Sequence, residues 1–262
     1  MDDLWYMTVA TVADMWKRPA FESERVNQTL YGEFVRRDIK QGKYLKVFTD
    51  DSYTGWIRQD HLVPVVDTMS DLKSARVRSI FAELYRSEKS RTLSGRLPFG
   101  ARVIFDIAAQ KRDEQSSRIK LEYPKGWIES GDLLLRRADQ VALTTVIRTF
   151  KKFTGTPYLW GGRSSYGCDC SGFIQLVFGY YGLELPRDSK EQRQCGKAVS
   201  RKRLDLCDLI FSPGHVSVHI GRGEIIHASQ KTGSVAVESI DPDSNRYRAD
   251  IAEKINAIRR IV

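Results

Sequence analysis

Residues 155–182 read GTPYLWGGRSSYGCDCSGFIQLVFGYYG, and Cys170 stands where the glycine-rich, polar part of this stretch gives way to an apolar run. From about Ser171 the residues Phe173, Leu176, Val177 and Tyr180 recur at helical spacing until Gly182. The segment is apolar on most sides, which predicts a buried central helix with Cys170 at its positive end. A thiol becomes a nucleophile as its thiolate, and a helix N-terminus plus a nearby imidazole are the usual means of making one. A buried, inert cysteine is the common alternative. Here Asp169 and Ser171 flank the thiol and the apolar run begins only afterwards, which favours chemistry.

Two histidines supply the imidazole. His215 opens HVSVHIG and His227 lies in EIIHAS, twelve residues on, with Arg222-Gly223 as a turn between them. Two antiparallel strands joined there bring the rings together as a relay. His219 shares the parity of His215 and is a second candidate for the base, whereas His61 reads as structural. Further strand-like runs cover 206–211, 224–228, 235–240 and 255–262, so a helix precedes an antiparallel sheet and the fold class is α+β. Before them, residues 139–155 predict another helix, with Ala142, Val146, Phe150 and Phe153 on one face and Gly155 at its end.

The first half repeats itself. Met15-Trp16 aligns with Leu84-Tyr85, Tyr31-Gly32 with Phe99-Gly100, and Gly55-Trp56-Ile57 with Gly126-Trp127-Ile128. Short alternating runs between turn residues predict two small β-barrels. The expected domains are 1–68, 72–136 and 139–262.

Composition narrows the rest. The net charge of +9 invites a polyanion, but the basic residues are scattered among acids, and we expect neither a nucleic-acid nor a membrane partner. The four cysteines, Cys168, Cys170, Cys195 and Cys207, are too few for a disulfide scaffold. The Cys168/Cys170 pair lacks two well-spaced further ligands for zinc, so no metal is expected. The opening MDDLWYMTVATV has no basic head or cleavage site, and the expectation is a cytoplasmic protein.

The ordered set GTPYLWGGRSSYGCDCSGFIQ, LELPRDSKEQ, HVSVHIG and EIIHAS resembles the NlpC family of papain-like cysteine peptidases over roughly residues 140–262. The resemblance implies Cys170 as nucleophile, His215 as base, His227 as the residue orienting it, and Tyr158 as an oxyanion donor. It departs from the family at Leu206-Cys207-Asp208, where Pro-Gly-Asp is usual, and at His219. The Tyr-Gly-Glu and Gly-Trp-Ile landmarks likewise resemble bacterial SH3-like domains.

That combination resembles the subgroup cutting the γ-D-glutamyl–meso-diaminopimelate bond of murein-derived tri- or tetrapeptides with a free L-Ala terminus. It implies that Glu33, Tyr53, Asp169, Ser171 and Ser189 meet the substrate, and that no metal or organic cofactor is needed. Rival expectations are an exported murein-remodelling endopeptidase and a non-catalytic wall-peptide binder. The oligomeric state is not legible.

Overall fold

The computed structural model describes residues 4–65, 73–105, 117–134 and 141–261. The chain divides into two compact units, 1–137 and 138–262.

In the first unit, strands β1 (Trp5–Thr8), β2 (Val12–Trp16), β3 (Arg25–Leu30), β4 (Phe34–Gln41), β5 (Tyr44–Phe48), β6 (Thr54–Arg58) and β7 (Leu62–Pro64) form one antiparallel sheet in the order β3-β2-β6-β5-β4-β1-β7. Alternation sends Tyr6, Ala13, Met15, Val35, Leu45, Val47, Ile57 and Leu62 into a single core. Six of the strands contribute, so the sheet curls around it.

The rest of the first unit forms two further sheets. Strands β8 (Lys73–Val77), β9 (Phe81–Tyr85), β10 (Leu93–Pro98), β11 (Arg102–Phe105), β12 (Arg118–Leu121), β13 (Gly126–Glu129) and β14 (Leu133–Leu134) pair as β10-β9-β13-β12 and β11-β8-β14. The repeat appears as equivalent pairings. Trp16 lies opposite Trp56 across β2 and β6, and Tyr85 opposite Trp127 across β9 and β13. A short 3-10 turn follows in each copy, Gln59–His61 and Ser130–Asp132.

The Tyr31-Gly32 landmark joins the two copies. Tyr31 is buried in a second hydrophobic core with Val77, Leu84, Val103 and Ile128, and the Arg102 N–H donates to the Tyr31 carbonyl at 2.9 Å. Gly32 has φ +76°, and a Cβ there would lie 2.0 Å from the Arg102 carbonyl oxygen, so only glycine fits. Burial raises the Tyr31 hydroxyl pKa, with Tyr123 adding to the effect.

The second unit is a helix-on-sheet structure. Helix α1 (Leu143–Lys152) buries Val146, Ile147 and Phe150. It starts at Leu143, four residues after Asp139, which lies outside the described residues. Helix α2 (Cys170–Tyr180) is preceded by the two-residue strands β15 (Arg163–Ser164) and β16 (Gly167–Cys168). Phe150 and Phe153 meet Phe173 with ring centroids 5.2 and 5.3 Å apart, and Phe150 also meets Phe178 at 5.4 Å, which locks α1 to α2.

The one-turn helix α3 (Ser189–Gln192) follows, and then the sheet of β17 (Lys197–Ala198), β18 (Leu209–Ser212), β19 (His215–Gly221), β20 (Glu224–Ser229), β21 (Ser234–Ser239) and β22 (Ala257–Arg260). Its order is β17-β22-β18-β19-β20-β21, antiparallel throughout, with one-turn helix α4 (Ala249–Ala252) before the last strand. Helix α2 lies against β19 and β20.

Candidate active site

Cys170 is the first residue of α2, and the Asp169 side chain caps the helix by accepting from the Gly172 N–H at 2.8 Å. The same carboxylate accepts from the Gly161 N–H at 2.9 Å and from both arms of the Arg187 guanidinium at 3.0 and 2.6 Å. Arg187 is 1% exposed and also donates to Ser171 Oγ at 3.0 Å and, more weakly, to the Gly162 carbonyl at 3.4 Å. The 161–162 turn and the helix start are therefore tied to one buried ion pair. Gly172 lets them approach, since a Cβ on it would lie 2.3 Å from the Gly162 carbonyl oxygen. Gln192, fully buried, adds hydrogen bonds from Nε2 to the carbonyls of Ser171 at 3.0 Å and Pro186 at 2.8 Å.

Burial outweighs the field of the helix end at the thiol. It pushes the Cys170 pKa up to about 11, helped by the Asp169 charge and opposed by the Val216 N–H, the Arg187 charge and the Ser171 N–H. The Val216 contribution puts the sulfur against β19, one residue from His215. Cys168 is fully buried and all four cysteines are free thiols. No group of three His, Cys, Asp or Glu side chains among the described residues has a metal-binding arrangement.

The two imidazoles meet as the spacing of twelve predicts. His215 Nε2 and His227 Nδ1 are 2.6 Å apart, with the ring planes at 75°. Arg222 and Gly223, at φ +51° and +70°, form the hairpin turn that reverses β19 into β20. Burial, with the Arg248 charge, lowers the His215 pKa to about 3, so burial opposes the charged form of the imidazole as it does that of the thiol. His219 is buried elsewhere, its Nδ1 2.8 Å from the Asp205 carbonyl oxygen, outside the relay.

Behind His227 stands Glu238, on the neighbouring strand β21, with Oε2 2.5 Å from His227 Nε2. Arg248 hydrogen-bonds the same carboxylate oxygen and forks onto Asp250 with two bonds of 2.7 Å. Our sequence reading missed Glu238, Arg248 and Arg187. The signal for Glu238 was an acid inside the apolar alternation of Val235 and Val237; Arg187 lay hidden in a turn-like LPRDS segment.

Tyr158 is held by its own backbone. Its N–H donates to the Gly233 carbonyl at 2.8 Å, and it forms a bridge to Cys168, two residues from the thiol. Its hydroxyl pKa is raised to about 12 by burial, then by the Cys170 and Asp169 charges, which marks it as a neighbour of both. Ser171 is buried between Asp169 and Arg187, and Ser189 opens α3, half-buried. Glu33 and Tyr53 belong to the first unit. Glu33 accepts from the Leu30 N–H at 2.9 Å across its turn, and Tyr53 packs on the first core.

A thiol at the start of a buried helix, set against an imidazole pair on an antiparallel sheet, defines a papain-like cysteine peptidase fold. Residues 155–252 match the NlpC/P60 family model. The second unit accordingly carries an NlpC/P60 domain, a domain of cysteine peptidases.

The chain is 29% identical over 260 residues to a γ-D-glutamyl-L-lysine dipeptidyl-peptidase of Bacillus cereus, covering 90% of this chain and 76% of that one. It is 36% identical over 115 residues, 42% of this chain and 60% of the other, to an Escherichia coli protein named murein DD-endopeptidase and murein LD-carboxypeptidase. A crystal structure of an NlpC/P60 family protein from Bacillus cereus superposes with TM-score 0.81 at 23% identity, over 98% of this chain and 99% of that one.

Proposed function

We propose that this chain hydrolyses peptidoglycan-derived peptides at the bond between γ-D-glutamate and the diamino acid that follows it. The observation that carries the reading is the joining of His215 to His227 at 2.6 Å beside the strand position whose N–H faces the Cys170 sulfur. The relatives' names supply the substrate class.

The thiol proton passes to His215 as sulfur attacks the γ-carbonyl. The Cys170 N–H and the Tyr158 hydroxyl take the oxyanion, each donor being worth about 3 kcal/mol in related chemistry. Protonated His215 then gives its proton to the leaving amine, and a thioester remains. Water, giving its proton to the same imidazole, releases the glutamyl product and returns the thiol.

The diamino acid of the proposal is meso-diaminopimelate, with L-lysine the competitor suggested by the name of the Bacillus relative. We further propose that Glu33 and Tyr53, within SH3-like domains, favour a free N-terminal L-Ala, and that the role is cytoplasmic recycling of wall peptides. Asp169 enters this picture as the residue that positions the helix start, since Arg187 already neutralises its carboxylate.

Mass spectrometry of products from L-Ala-γ-D-Glu-meso-diaminopimelate, its L-lysine counterpart and an N-capped form tests all of these. Release of L-Ala-γ-D-Glu from the uncapped diaminopimelate peptide is the expected result, weakened in selectivity by Glu33→Gln and Tyr53→Phe. Equal cleavage of the capped peptide, or solubilisation of intact sacculi, would replace the recycling reading with wall remodelling. No cleavage of any of them would leave a binding protein.

A further inference from the structure

Glu238 is placed to decide which nitrogen of His227 carries the proton, and that choice propagates to the thiol. Its largely buried carboxylate, 14% exposed, lies 2.5 Å from His227 Nε2, and His227 itself is 1% exposed. An ionised carboxylate only accepts hydrogen bonds, so the proton of neutral His227 must sit on Nε2. Nδ1 is then a bare lone pair, and the 2.6 Å contact requires His215 to donate from its own Nε2. The lone pair of His215 is thereby left on Nδ1, the nitrogen not engaged by His227. With His227 protonated on Nδ1 instead, His215 would have to accept at Nε2 and carry its proton on Nδ1, useless as a base.

We propose that Glu238, held by Arg248 and Asp250, is a positioning residue that fixes His227 as the Nε2–H tautomer and so makes His215 a base toward Cys170. This rests on the catalytic reading given above. Several groups surround Glu238. On β20 and β19 these are His227 and His215. From the segment leading into α4 and from α4 itself come Arg248 and Asp250, and Lys231 acts on Asp250 in turn. Burial pushes the Glu238 pKa up, but the hydrogen bonds from His227 and Arg248 and the Arg248 charge outweigh it, and the carboxyl is held below its ordinary range. Arg248, turned by its fork onto Asp250, anchors the same oxygen that faces His227. During turnover no proton leaves His227. His215 takes the thiol proton on Nδ1, keeps its own on Nε2, and passes the former to the leaving amine.

The test is long-range 1H–15N correlation of 15N-histidine-labelled full-length protein, for the native chain, Glu238→Gln and Glu238→Ala, together with kcat, KM and the pH dependence of Cys170 alkylation by iodoacetamide. The expected native signature is His227 as the Nε2–H form. Glu238→Gln should keep that form and most of kcat, because its amide oxygen can accept from His227 and Arg248 alike. Glu238→Ala should mix the tautomers and lower kcat by about 10-fold or more, toward the ~10⁴ that a wholly wrong tautomer costs in a triad, with little change in KM. His227 found as Nδ1–H in the native protein, or Glu238→Ala with unchanged tautomer and kcat, would overturn the proposal. The native measurement needs no variant, so misfolding of Glu238→Ala does not shelter it. Alkylation and tautomer are read without any peptide, which separates this failure from a wrong substrate.

Discussion

The two sides of the site are built alike and buried differently. Behind the thiol, Asp169 caps α2 and is clamped by Arg187, which is 1% exposed. Behind the imidazoles, Glu238 is clamped by Arg248, 10% exposed, which leans in turn on Asp250, 48% exposed. Each side sets a carboxylate behind a proposed catalytic group and an arginine behind the carboxylate. The thiol-side pair is sealed among backbone groups of the 161–162 turn and the helix start, so its work is to hold backbone in place. The imidazole-side pair touches a ring that can carry its proton on either nitrogen, so its work is to choose a protonation state. Buried ion pairs are poor sources of net stability but costly to break, and that asymmetry should separate the two sides by experiment.

The largest effect expected is at the sulfur itself. Cys170→Ala should lower turnover by about 10⁴-fold or more, as removal of one member does in other nucleophile–base sites, while peptide binding measured by calorimetry stays near native. Activity surviving in this variant would remove both sides of the comparison at once.

Breaking the thiol-side clamp should appear as lost stability. Arg187→Met leaves the Asp169 charge buried without its partner, a cost of about 3–5 kcal/mol, readable as a fall in the urea midpoint at constant slope. Adding Asp169→Asn to it should recover part of that loss, since the stranded charge is then gone. A full loss of kcat with an unchanged midpoint would mean that Arg187 acts on chemistry rather than on backbone.

Tyr158→Phe comes next. It leaves the backbone bonds of residue 158 intact and removes one proposed oxyanion donor, for about 3 kcal/mol or ~100-fold in kcat. The kcat/KM ratio should fall equally. A rise in KM alone would make Tyr158 a binding residue.

Local rules made the catalytic unit readable. Helix α2 announced itself through an apolar run and a closing glycine, and the β19–β20 hairpin through its turn and a spacing of twelve that put His215 and His227 together. The aromatic pairs Trp16/Trp56 and Tyr85/Trp127 show why the repeat was visible: each lies at the same crossing of two strands. Sequence distance hid the clamps. Arg187 reaches back 18 residues to Asp169, Glu238 meets His227 only after β21 pairs with β20, and Arg248 meets Glu238 only after the chain turns through residues 240–248. No periodicity encodes those closures. The Leu206-Cys207-Asp208 departure became intelligible only with backbone angles, for Cys207 sits at φ +66°, where the family's glycine would be unstrained.

A pH dependence of stability should also come from the imidazole side. His215 is neutral in the folded protein down to about pH 3 but takes up a proton near its ordinary 6.5 when unfolded. Between those values the unfolded state binds the extra proton. The contribution of His215 is therefore complete above about pH 6.5 and is lost progressively as the pH falls toward 3. Asp250 is held at about 2 by its Arg248 fork, against an ordinary 3.8, so its share is present above 3.8 and is lost as the pH falls toward 2. The two windows barely overlap. Unfolding midpoints measured from pH 7 to pH 4 should therefore decline through His215, and His215→Gln should flatten that decline while leaving the steeper loss below pH 4. If Arg187→Met removed the pH 7 to 4 slope instead, the thiol side would also be setting protonation, and the division between a backbone clamp and a proton clamp would not hold.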